Sequence, residues 1–467
     1  MSDLAFLSAT ELLHHYRRGD LSPVDVTRAT LDQISKHNDG INAWVIIDEE
    51  GAMAAAQLSE DRWHRGENIG LLEGVPVGIK ELFDVQGWPT LFSSPISNPD
   101  HHAAQDGPVP ARLREAGSVI LGKTTTPEFS WKGVTDSPLH GVTRNPWNLK
   151  MTPGGSSGGA SAALAAGMGA LHVGSDAGGS VRIPASFTGI YGLKPTQFRI
   201  ANVPTGPTAA ISQPGPMTRT VEDAALMLTQ LSKYDPRDPF ALEDTGKDYR
   251  VGIHDGVRGM RIGIFGGDRI IKIDPEVAKA VTAAGEEFQD MGAIVEEADP
   301  GFENMIDVFL KFWWVSTASN LAHAREDDLA KTDPGLVRSA EHGKGVTAVE
   351  YQAALKSRAQ LAQQIEAFFT NNNYDLLLMP TTPIVAFEAG AGIYAPDDPN
   401  YRKGWTPLTF PFNLSGHPAA SMPCGLTEAG LPIGLQITGP WYSESAILRA
   451  SRAYESRHPI QNPPNYR

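Results

Sequence analysis

Residues 154–196 read GGSSGGASAALAAGMGALHVGSDAGGSVRIPASFTGIYGLKPT. Two glycine-flanked serines stand at its ends, joined by an alanine-rich run. A flexible linker would continue into polar chain, but Gly154-Gly155-Ser156-Ser157-Gly158-Gly159 runs into Ala160 to Ala170, the composition of a buried helix. His172, Val173 and Gly174 then read as a short buried strand. In the following Ser175-Asp176-Ala177-Gly178-Gly179-Ser180, glycines let backbone N–H groups converge on one point, which suits an anion. The stretch lacks the GxxxxGK[ST] and GxGxxG spacings that phosphate binding requires, so the oxyanion of an acyl-transfer intermediate is the better occupant. Ser180 is the candidate nucleophile, outside any GxSxG elbow, and a serine hydroxyl needs a base.

A base is available upstream. In LLEGVPVGIKELFDVQGWPT (71–90), Pro76 to Ile79 is a short apolar strand with Lys80 at its end. Lysine is ordinarily a solvated surface residue. Beside an apolar, glycine-bounded run its ammonium is desolvated, which lowers its pKa from about 10.4 toward the working range of a base. Lys123 is the competing lysine. Residues 109–129 read as helix, glycine turn, buried strand and loop, the rhythm of a sheet with helices on its faces.

The segments GGSSGG (154–159), GSDAGGSVRIPA (174–185) and GLKPT (192–196) resemble the amidase signature family. The resemblance is dense across residues 70–200 and returns in FNLSGHPAAS (412–421) and GLPIGLQ (430–436). It implies an α/β fold with a central mixed, twisted sheet covered by helices on both faces. It also implies a single domain over 1–467: an N-terminal helical wrap (1–69), a catalytic core (70–200), a variable substrate-shaping part (201–370) and a completion of the core (371–467). By the same resemblance Ser180 is the nucleophile, Ser156 follows a cis peptide bond and relays a proton, and Lys80 is the base. Backbone N–H groups of Ala177, Gly178, Gly179 and Ser180 form the oxyanion hole, while Gly155, Ser157, Asp176 and Arg182 support the site. Glu81 stands where many members have Asp, and Thr125 where many have Asn. No cofactor and no metal is implied.

Composition limits the setting. The 467-residue chain is 41% hydrophobic and 20% charged, so it is globular and long enough for a large core. Its formal charge of -15 disfavours a nucleic-acid or anionic-membrane surface. Cys424 is the only cysteine, which rules out an intrachain disulfide and fits a reducing cytoplasm. The N-terminal MSDLAFLSATELLHHYRRGD has no secretory pattern, and no apolar run reaches membrane-spanning length. A cytoplasmic enzyme is expected, bound neither to membrane nor to nucleic acid, with a homodimer left open.

Elsewhere the chain reads as framework. Residues 8–37 form two helices led by Ser8 or Thr10 and by Ser22 with Pro23; residues 260–296 form a strand, a helix and a strand; residues 234–258 form a surface connection. Residues 303–370 are helical, with Thr347 and Glu350 as a capping box. Trp131, Trp313 and Trp314 are the candidate pocket aromatics, and packing is the competing role for each. The expected activity is cleavage of a small-molecule carboxylic amide to acid plus amine or ammonia through a seryl acyl-enzyme. One alternative is the glutaminase-type subunit of a tRNA-dependent amidotransferase. The other, of a different class, is a non-catalytic small-molecule binder.

Overall fold

The computed structural model describes residues 2–67, 69–204, 206–390 and 405–466. The chain begins with helices α1 (Ala9–Arg18) and α2 (Pro23–Ile41), strand β1 (Trp44–Ile47) and α3 (Glu49–Arg65). The stretch that carries Lys80, Ser156 and Ser180 runs β2 (Pro76–Lys80), α4 (Pro108–Glu115), β3 (Val119–Thr124), a small hairpin β4 (Asp136–Ser137) and β5 (Gly141–Val142), α5 (Gly158–Ala165), β6 (Leu171–Asp176), α6 (Arg182–Thr188) and β7 (Tyr191–Lys194). After it come β8 (Gln213–Thr218), α7 (Val221–Leu231), β9 (Arg261–Ile264), α8 (Pro275–Asp290) and β10 (Ile294–Glu297). Four helices follow, α9 (Ile306–Asn320), α10 (Glu326–Leu329), α11 (Pro334–Lys344) and α12 (Ala348–Asn372). The chain closes with β11 (Leu376–Pro380), α13 (Pro411–Ser415), β12 (Ala419–Leu426), β13 (Pro432–Thr438) and α14 (Glu444–Arg457).

Eleven strands form one mixed sheet in the order β1-β3-β2-β6-β8-β7-β12-β13-β11-β9-β10. The β2–β3, β2–β6, β9–β11 and β9–β10 pairs are parallel, and the rest antiparallel. Strands β2 and β6, which end in Lys80 and Asp176, are neighbours and are buried along their whole length. Continuous burial explains why they read as apolar runs rather than alternating ones. Helices flank the sheet. One large apolar cluster packs α4, α7 and α14 on the strands, and a second packs α9, α12 and α13 on them.

The local signals act as expected. Ser8 and Ser22 cap α1 and α2, and the Thr347–Glu350 capping box opens α12. Two expectations change. The alanine run stops being helical at Ala165, because Gly167 turns left-handed (φ 74°) and its N–H closes back on the Leu164 carbonyl. Residues 234–258 are irregular, yet they are more than a surface connection, since Tyr249, Ile253 and Val257 sink into the main core.

Helix α5 lies against the chain at Ala43 and Thr125. A Cβ on Gly159 would come within 2.2 Å of the Thr125 hydroxyl and 2.7 Å of the Ala43 carbonyl oxygen. Alanine gains about 1 kcal/mol of helix propensity over glycine, whereas overpacking against backbone costs about 1–3 kcal/mol. Gly159→Ala is therefore expected to lower the thermal midpoint, measured by circular dichroism. An unchanged or raised midpoint would show that α5 can shift away freely.

Candidate active site

Strand β2 delivers Lys80 to the centre of the molecule, where it is fully buried. Its Nζ donates to the Ser156 hydroxyl at 2.6 Å and to the Ser175 hydroxyl at 3.0 Å. Burial pushes the ammonium down to about 7, even though Asp176 and Glu81 both pull it back up. Lys80 is thus poised to lose its proton near neutrality. Ser156 follows a cis Gly155–Ser156 peptide bond. A Cβ on Gly155 would lie 2.6 Å from the Val134 carbonyl carbon, so this position needs glycine.

The two serine loops are tied together. The Ser157 N–H donates to the Ser180 carbonyl at 3.2 Å, and the Ser157 hydroxyl donates to the Ser175 carbonyl and accepts from the Ser175 N–H, both at 3.2 Å. Ser156, Ser175 and Ser180 all reach a cavity of about 200 Å³.

Beneath the loop of Ser180 lies a buried ion pair. Arg182 Nε and Nη2 donate to Asp176 Oδ2 and Oδ1, each at 2.9 Å, and both side chains are completely shielded. The rest of the guanidinium reaches the Thr409 carbonyl (2.9 Å), Gln436 Oε1 (2.7 Å) and Asn413 Oδ1 (2.7 Å). Asn413 Nδ2 returns bonds to the Asp176 carbonyl (2.8 Å) and Oδ1 (2.9 Å). Despite the cost of burial, Arg182 and these donors hold the Asp176 carboxyl far below the usual carboxylate range.

Asp176 also takes N–H groups of the loop, accepting from Gly179 at 2.7 Å and Val181 at 3.2 Å. This corrects the expected donor set. The Gly179 N–H, one of the four expected donors, is committed to the carboxylate.

Aromatic walls enclose the cavity, with Trp131 and Trp313 in place as expected and the Trp313 indole donating to the Trp131 carbonyl at 2.9 Å. Trp314 is not part of the wall. One step along α9 turns it away from its neighbour, and it stacks on His342 with ring centroids 4.9 Å apart. Phe92 and Phe129, which no sequence pattern singles out, do line the cavity.

Other polar candidates lie elsewhere. Lys123 Nζ holds the Pro89 carbonyl and the Thr90 hydroxyl, both at 2.8 Å, rather than either serine. His172 is buried against the Met168 carbonyl and pushed down to about 3, so it stays neutral. Burial pushes the Cys424 thiol up to about 12, and it borders a different cavity. Among the described residues, no three His, Cys, Asp or Glu side chains are grouped to hold a metal ion. No helix among them is long and apolar enough to cross a membrane.

Ser175, Asn413 and Gln436 are site residues that sequence reasoning missed. Ser175 sits inside the glycine-serine motif, next to Asp176, and its role needs the knowledge that β6 lies beside β2. Asn413 and Gln436 are more than 200 positions beyond Asp176, and nothing local in their segments points to the pair they brace.

Comparison with known proteins adds a second line of support. The family described as amidase matches residues 25–448. A glutamyl-tRNA(Gln) amidotransferase subunit of Myxococcus xanthus is 34% identical over 481 aligned positions, covering 97% of this chain and 98% of its own. A bacterial aryl acylamidase of the amidase signature family superposes with a TM-score of 0.89 at 30% identity, covering 97% of this chain and 96% of its own. A 6-aminohexanoate cyclic dimer hydrolase superposes with a TM-score of 0.91 at 29% identity, covering 99% of this chain and all of its own.

Asp176→Asn leaves the Arg182 guanidinium buried without its counter-charge, a class of change that costs about 3–5 kcal/mol. The variant is expected to unfold at clearly lower urea concentration than the parent. A midpoint within experimental error of the parent's would mean that neutral acceptors suffice for Arg182.

Proposed function

The chain belongs to the amidase family, and on that premise we propose that it hydrolyses a carboxylic amide to acid plus amine or ammonia through an acyl-enzyme on Ser180. The observation that carries this reading is the contact of Lys80 Nζ with Ser156 at 2.6 Å, made by a lysine whose proton is released at about 7. Ser180 Oγ attacks the carbonyl carbon while its proton passes to Ser156 Oγ, whose own proton passes to neutral Lys80. The oxyanion settles on the N–H groups of Ala177, Gly178 and Ser180, preorganised donors in a water-poor site. Collapse breaks the C–N bond, and the proton returns through Ser156 to the leaving nitrogen. Water then repeats the sequence on the ester and frees Ser180.

Asp176 and Arg182 act on this scheme through position, since the carboxylate fixes the loop that presents Ser180. The strands of one sheet come from residues 44–438, which supports taking the whole chain as one catalytic domain. The identity to the Myxococcus xanthus protein favours a second reading, release of ammonia from glutamine for a partner enzyme bound to tRNA. A non-catalytic binder would have no use for the Lys80–Ser156 pair.

Ser180→Ala is expected to remove both turnover and the adduct formed with a serine-directed fluorophosphonate, read by intact-protein mass. A panel of alkyl and aryl amides and glutamine, assayed by ammonia or amine release on the isolated chain, separates the two enzymatic readings.

The pH profile follows from the sign of the Lys80 shift. Below about 7 the lysine is protonated and cannot accept, so kcat/KM should rise through pH 7 and level off above it. Lys80→Met should lower kcat/KM by about 10²–10⁴, the usual worth of a general base, and abolish the rising limb. A flat profile between about pH 5.5 and 8.5 in the parent would remove Lys80 from the proton path.

A further inference from the structure

The cavity beside Ser180 has a wall made in an unusual way. Phe92 and Phe129 stack with ring centroids 5.7 Å apart and planes 14° from parallel. Both residues, and the serine after each, are left-handed: Phe92 has φ 51° and Ser93 50°, Phe129 47° and Ser130 55°. Bulky residues avoid this conformation unless their surroundings impose it, and such strain gathers where a side chain must be aimed.

Here the surroundings do impose it. The Glu81 carboxylate accepts from the Leu91 N–H at 2.5 Å and the Ser93 N–H at 2.8 Å, so it grips the backbone on both sides of Phe92. Lys123 holds the two residues before that grip, and the Phe129 N–H donates to the Phe92 carbonyl at 2.8 Å. Glu81 and Lys123 are buried, and their bonds go to the loop of Phe92; their effect is to fix two rings against the cavity.

A second aromatic group reaches the cavity at Trp313. Trp313 stacks on Phe309 (5.2 Å) and Phe309 on Phe410 (4.7 Å), and Phe309 lies where a Cβ on Gly178 would fall, 2.8 Å away. A stack of aromatic rings therefore runs from Trp313 in the cavity wall to the loop that carries Ser180. Among the described residues, no lining side chain is ionised at neutral pH. An ammonium or carboxylate on the substrate would meet no counter-charge from those residues, and burying an unpaired charge is unfavourable.

We infer that the substrate is a neutral aromatic amide whose ring lies between the Phe92–Phe129 wall and Trp313. The inference rests on the amide-hydrolase reading and makes it specific. Glu81 and Lys123 are positioning residues for that wall, and Phe92 and Phe129 set specificity. Aromatic pairs favour offset or edge contacts beyond what area alone gives, so a flat ring gains over a puckered one of equal size.

The test compares benzamide with cyclohexanecarboxamide and acetanilide with N-cyclohexylacetamide, with glutamine as the charged competitor. Each is assayed on the parent, Phe92→Leu and Phe129→Leu. The parent is expected to favour the aromatic member of at least one pair by about tenfold in kcat/KM, the size of an aromatic pairing gain. Both variants should shrink that ratio through a higher KM for the aromatic amide, with kcat nearly kept. Equal rates within both pairs in the parent, or glutamine as the best substrate, would overturn the inference without any variant.

A matched loss for both members in the variants would do the same. Fluorophosphonate labelling at Ser180 accompanies every assay. Labelling with no aromatic preference overturns the substrate class alone, whereas a parent with neither labelling nor turnover overturns the hydrolase reading and this inference with it.

Discussion

The Asp176–Arg182 ion pair holds the site in shape. It is dry, two-pronged and fully hydrogen-bonded, which is the condition under which two buried charges are tolerated at all. Its partners come from distant parts of the chain: Thr409 and Asn413 from the α13 region and Gln436 from β13. The pair thereby fastens the C-terminal segments to the loop between β6 and α6. Because the carboxylate also gathers the Gly179 and Val181 N–H groups, the curvature of the Ser180 loop is set by a fully buried acid that does not line the cavity.

The same burial that makes this pair costly makes Lys80 useful. Deep in the sheet, a lysine's charge is penalised, and neighbouring Asp176 and Glu81 offset only part of that penalty. Burial outweighs that pull, so Lys80 is left near neutrality instead of being locked as a cation. The carboxylate that braces the Ser180 loop also acts on the charge of Lys80. The departure at Glu81 follows the same logic, since its side chain turns from Lys80 to grip the backbone around Phe92.

The helical part from α9 to α12 supplies shape more than chemistry. Helices α9 to α12 add no strand to the sheet, yet α9 sends Trp313 to the cavity and Phe309 to Gly178 in the loop of Ser180. A segment of this kind can change its aromatic surface without disturbing Lys80 or the serines, because the sheet beneath is closed by β2, β6 and their neighbours.

Much was legible in the chain itself. Helix caps at Ser8, Ser22 and Thr347, the buried run of β2 and the glycine-serine loops are local signals, decided by backbone conformation and periodicity within a few residues. Ser180 could be named from its glycine-flanked loop, and Lys80 and Ser156 from the family resemblance that their segments carry. Tertiary structure alone decided the rest. Ser175 joins Lys80 only because β6 pairs with β2, and Asn413 and Gln436 meet Arg182 only because β12 and β13 fold back beside β7. Trp313 and Trp314 are indistinguishable as neighbours in sequence, and the rotation of one helical step separates them. The Gly179 N–H was taken by a carboxylate three residues away, a choice fixed by the tightness of one loop. Contacts across long stretches of sequence carry no local periodicity, so they become visible only when the chain has closed on itself.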